Sequence, residues 1–122
     1  MLATLTIALT LATAARAAPM PHNWHAPRWW LRQAICIHQH EGAWNSIGYV
    51  HGVATYGGGM QFLLGTWHSV GGVARTLQDI ADAPIREQLF RAYLVWDRDA
   101  GKPHDGRGSW AEWGTREACG LT

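Results

Sequence analysis

Acidic side chains are scarce in the first two thirds of this 122-residue chain, where Glu41 is the only one before Asp79. A site that needs several carboxylates cannot form within that region. Any second acid must fold back from Asp79, Asp82, Glu87, Asp97, Asp99, Asp105, Glu112 or Glu117. Charge of any kind is sparse: 16% of residues are charged and the formal net charge is +1, which gives no basis for a nucleic-acid or acidic-membrane partner. HExxH is absent and neither cysteine belongs to a CxxC, so the common zinc frameworks are missing. Ser46, Ser69 and Ser109 stand in no GxSxG, which leaves a serine nucleophile without its usual turn. The run Gly57-Gly58-Gly59 precedes an apolar stretch, but no lysine follows and no GxGxxG forms, so it does not read as a phosphate loop.

What is present fits one domain, since a single core organises about 100–150 residues. Hydrophobic residues make up 48% of the chain and eight are tryptophan, far from a disordered composition. Residues 1–17, MLATLTIALTLATAARA, have an apolar and threonine stretch closed by small residues, the outline of a signal peptide cleaved after Ala17. The alternative is a membrane anchor, although the run falls short of the roughly 20 residues a bilayer needs. Residues 18–28 carry three prolines and read as a linker, with the domain occupying 29–122. Cys36 and Cys119 suit one disulfide in an exported protein, with two free buried thiols as the alternative. Closing a loop of this length would stabilise the fold by about 4 kcal/mol through chain entropy.

Trp30, Ala34, Ile37 and Glu41 recur at i, i+4, i+7 and i+11, which predicts a helix from Trp29 that ends at Gly42. Residues 45–59 predict an irregular loop or a short twisted hairpin, and Met60 to Val70 a second helix. Asp82 as N-cap and Pro84 in the first turn introduce a helix over 84–99, and a last short helical turn is expected within 110–118. The expected fold is therefore mainly α, an α+β domain with at most a small hairpin.

Glu41 ends an apolar stripe, and burial against tryptophan would keep its carboxyl protonated, as a general acid requires. His38, His40 and Glu41 do not make a joint metal site, because alternate residues on a helix point about 200° apart. Trp29, Trp30 and Trp96 read as core. Trp44, Trp67 and Trp110 border loops and suit either core packing or stacking on a sugar ring.

Five segments, IHQHEGAW, TYGGGMQF, TWHSVGG, REQLFRAYLVW and REACGL, occur in an order and spacing that resemble the transglycosylase-like domain of the resuscitation-promoting factor group. That group is a compact branch of the lysozyme-like superfamily whose secreted members cleave peptidoglycan. The resemblance runs from about Trp29 to Leu121. It implies that Glu41 is the catalytic acid, that Tyr56 and Gln61 border the sugar groove, and that Cys36 pairs with Cys119. The better-known members place glutamate directly after the cysteine, as CESGGNW; here Ile37 follows Cys36 and the acid comes four residues later. Four residues are one turn, about 6 Å along the axis, so the acid keeps its stripe. Gly57 stands where a second aromatic often precedes the glycine pair.

The resulting expectation is a secreted, cell-wall-associated glycosidase that cuts the β-1,4 backbone of peptidoglycan with Glu41 as single general acid and base. Whether the acceptor is the sugar's own 6-hydroxyl or water is left open. Trp44, Tyr56, Gln61 and Trp67 are the expected substrate contacts, and no metal or cofactor is expected. The expected partners are glycan strands and a partner cell-wall hydrolase, with the chain itself a monomer. A non-catalytic glycan-binding module on the same fold is the rival reading, and a histidine-rich metal binder a third.

Overall fold

The computed structural model describes residues 17–99 and 108–122. The expected signal sequence, Ala17 apart, and most of the loop GKPHDGRGSW lie outside the described residues. The chain folds into an α+β domain in the order α1 (Arg28–Glu41), β1 (Ile47–Val50), β2 (Val53–Gly57), α2 (Leu64–Ser69), α3 (Leu77–Asp82), α4 (Ile85–Arg98) and a C-terminal 3-10 helix (Gly114–Cys119). Among the described residues no helix is long and apolar enough to cross a membrane.

Helix α1 follows the predicted stripe: Trp30, Ala34 and Ile37 are fully buried, and Gly42 closes the helix by donating its N–H to the His38 carbonyl. The hairpin is antiparallel and pairs Val50 with Val53 across a two-residue turn. Both turn residues, His51 and Gly52, have positive φ, as the tight turn that matches strand twist demands. Thr55 is an extra residue that bulges β2 between the Gly48–Tyr56 and Tyr49–Ala54 pairs.

Two helix predictions need correction. The helix expected from Met60 begins only at Leu64, because Gly57 and Phe62 exchange both backbone hydrogen bonds and hold 58–61 in a tight turn. Asp82 is not the cap of α4. It is the last residue of α3 and accepts from Gln78, while Pro84 takes the N-cap position. The true cap belongs to the unpredicted α3, where the Thr76 side chain accepts from the Asp79 N–H and Asp79 accepts from the Thr76 N–H.

Tryptophan builds the core. Trp30 stacks on Trp110 (centroids 5.4 Å apart) and meets Tyr93 edge-on; Trp110 meets Trp113 at 5.2 Å. Trp113 touches Phe62, which meets Trp67 at 5.2 Å, so aromatic contact runs unbroken from α4 through α1 and the C-terminal segment to α2. Such pairs contribute about 0.5–1.5 kcal/mol each beyond area burial. Trp29 departs from the core expectation: its ring meets Trp96 at one edge and is 49% exposed.

Residues 18–27 do not hang free as a linker would. Arg91, itself buried and paired with Glu87, donates to the Ala18 carbonyl, and Arg86 donates to the carbonyls of His22 and Trp24. The Trp24 ring packs edge-on against Phe90 at 5.1 Å. This segment straps across α4.

Candidate active site

The stripe of α1 runs from the core outward, and Glu41 is the first residue on it to emerge, half-buried, into a cleft. Thr115, on the 3-10 helix, donates from Oγ1 to Glu41 Oε1 at 2.8 Å. The disulfide between Cys36 and Cys119 links these same two elements, with Cα atoms 6.0 Å apart.

The cleft has two chambers, one of about 240 Å3 beside Glu41 and Thr115 and one of about 100 Å3 reaching Leu63 and Thr66. Tyr56, Gln61, Glu112 and Trp113 line both. Gln61 sits in a left-handed conformation (φ 51°) and donates from Nε2 to the Gly58 carbonyl at 2.7 Å. Its amide lies directly over Gly48 of β1, where any side chain would overlap Gln61 Oε1.

The turn behind Gln61 is fixed from within. Gln88 of α4, wholly buried, accepts from the Gly59 N–H at 2.8 Å and donates to the carbonyls of Trp44 and Ala83. Gly58, at φ 82°, leaves room for that amide, since a Cβ would overlap Gln88 Oε1. His38 Nδ1 donates to the Gly59 carbonyl at 2.9 Å, which fixes the protonated nitrogen because a carbonyl only accepts.

The expected site residues therefore divide. Glu41, Tyr56 and Gln61 come together on the cleft. Trp67 does not: it is 1% exposed, held between Phe62 and the core, and cannot stack on a ligand. Trp44 is also committed elsewhere, its ring stacked on His38 at 3.8 Å and its carbonyl bound by Gln88. Trp110 lies in the core, with its indole N–H on Gln33. The tryptophan beside Glu41 is instead Trp113.

His38, His40 and Glu41 bond to Gly59, Cys36 and Thr115 respectively, three separate directions. Among the described residues the metal-type donors that converge are Cys36, His40 and Cys119, within 4.8 Å of one another, but both sulfurs are engaged in the disulfide.

Glu112, Trp113 and Thr115 were not nominated by the sequence. A signal existed: Glu41 lies five residues after Cys36 and Thr115 four before Cys119, so the disulfide brings them to the same level. Glu112 stands at the chamber junction with Arg98 at 3.2 Å and Asp99 close by. Burial of its inner side, then a hydrogen bond to Asp99 and that residue's charge, push its carboxyl up to about 7, against the opposing pull of Arg98. Asp99 Oδ2 is buried without a donor among the described residues, and a protonated Glu112 would supply one.

No protein-family model, curated protein or solved structure matches this chain.

Proposed function

We propose that this chain is an exported peptidoglycan-cleaving glycosidase of lysozyme-like fold, akin to the transglycosylase-like domain of resuscitation-promoting factors. The observation that carries the reading is the Glu41 carboxyl at a cleft walled by Tyr56, Gln61 and Trp113, with one oxygen held by Thr115. Aromatic edges beside polar groups suit a sugar, whose rings are apolar on their faces and hydroxylated at their rims. The one-turn offset of the acid is compatible with this role. Ile37, directly after Cys36, is wholly buried, and Glu41 is where the stripe reaches solvent.

Glu41 donates its proton to the glycosidic oxygen between the two β-1,4-linked amino sugars as the bond breaks and the ring carbon gains oxocarbenium character. The resulting carboxylate stabilises that charge while an attacking hydroxyl bonds to the ring carbon. A disulfide suits an oxidising, extracellular setting, and the chemistry requires no cofactor.

The test is Glu41→Gln, assayed for clearing and for sedimentation with purified peptidoglycan. Retained binding with clearing lowered at least 100-fold is expected, the range lost with a general acid. Equal loss of both would instead favour the glycan-binding module.

A further inference from the structure

Two carboxyl groups line the chamber around Glu41, and the second arrives from a different part of the chain. Glu41 enters from the end of α1; Glu112 enters from the turn between Trp110 and the 3-10 helix, where the two chambers meet. No other carboxylate lines either chamber among the described residues. We propose that Glu112 is the base that takes the proton of an attacking water, which makes water the acceptor and hydrolysis the outcome. The inference rests on Glu41 being the acid.

A purely structural role explains Glu112 poorly. Its ion pair with Arg98 is a surface pair, both side chains 41% exposed, and such pairs contribute little. The groups that face Glu112 are Arg98 and Asp99 at the end of α4, with Glu41 from α1 and Tyr56 from β2 lining the same chamber. Asp99 holds Glu112 once it has taken a proton, since its orphaned Oδ2 accepts a hydrogen bond from the protonated form. Glu112 titrates at about 7, so the carboxylate and the acid are both accessible near neutrality, as a base that must reset requires. The chamber of about 240 Å3 has room for a water.

In the step, the C1–O4 bond breaks and its electron pair stays on O4, which receives the proton of Glu41. Water oxygen bonds to C1 and gives its proton to Glu112. One water is consumed, Glu41 is left as carboxylate and Glu112 as acid, and transfer through solvent in the open cleft restores both.

The experiment digests purified peptidoglycan with the native chain, Glu112→Gln and Glu112→Ala, with and without sodium azide, and reads products by mass spectrometry. The native chain is expected to release the hydrolysed sugar. Both variants should lose at least 100-fold in kcat with little change in KM. Azide, which attacks without needing a base, should restore turnover in Glu112→Ala and yield a glycosyl azide. Release of the 1,6-anhydro sugar by the native chain overturns the inference and leaves the glycosidase reading standing. So does hydrolysis that persists undiminished in both variants, or a loss that azide fails to repair. Absence of any cleavage product overturns both proposals.

Discussion

Thr115 Oγ1 and Glu41 Oε1, 74 positions apart in the chain, are joined by a 2.8 Å hydrogen bond across the gap between the 3-10 helix and α1. It orients the carboxyl and leaves its other oxygen for the cleft. Thr115→Val keeps the shape and removes the donor. Under the proposed mechanism kcat is expected to fall about tenfold, the equivalent of about 1.4 kcal/mol. The urea midpoint should move little, because one such bond contributes about 1 kcal/mol to stability. Steady-state kinetics beside urea titration separates the two effects.

Gly48→Ala acts on the cleft from behind. The new methyl overlaps Gln61 Oε1, the far end of a flexible side chain, so Gln61 swings away instead of the strands parting. The stability cost is expected to be about 1 kcal/mol. KM for glycan should rise several-fold as the Gln61 wall is lost, and Gln61→Ala should then add nothing to it.

Gln88→Leu strips three bonds at once. The Gly59 N–H loses its partner inside the core, and the part-buried carbonyls of Trp44 and Ala83 lose theirs. A buried group left unsatisfied costs about 1–3 kcal/mol and the part-buried carbonyls less, so a loss of about 3 kcal/mol is expected. Thermal unfolding checks it, and the melting temperature should drop by more than about 10 °C for a domain of this size.

The raised Glu112 carboxyl makes stability depend on pH in a direction unusual for a glutamate. Its ordinary value is 4.5 and the fold moves it to about 7, so the protonated form favours folding. That contribution is complete below about 4.5 and is lost as pH rises through about 7. Asp79 works the other way: backbone N–H groups of Arg75 and then Thr76 lower it, and its contribution is lost as pH falls through its folded value. The urea midpoint should therefore decline from weakly acid to weakly alkaline pH in the native chain, and Glu112→Gln should flatten that slope without altering the decline in strong acid.

Local patterns were legible and closures were not. The 3.6-residue period located α1 and most of α4, and the glycine-flanked β-branched run located the hairpin, because those signals lie within one element. Thr76 and Asp79 also spelled a capping box, but its helix is only six residues long and carries too few apolar turns to stand out. Trp44 and Trp67 differ from expectation for another reason. A tryptophan beside a loop looks the same in sequence whether the loop opens to solvent or, as Gly59 does on Trp44 and Gly72 on Trp67, folds down over it. Glu112 needed three dimensions, since its neighbours Arg98 and Asp99 lie on another element and its cleft is shared with α1.

The strap across α4 has a consequence for what evolution can change. Arg86 and Arg91 grip main-chain carbonyls of Ala18, His22 and Trp24, atoms that every amino acid offers. Apart from the Trp24 ring and Ala26, which both pack against the core, this docking does not read the letters of the segment. The sequence ahead of residue 28 can thus change widely while its backbone stays required: a fragment that starts at Trp29 would take the Ala18 carbonyl from Arg91 and uncover the aromatic face of Phe90.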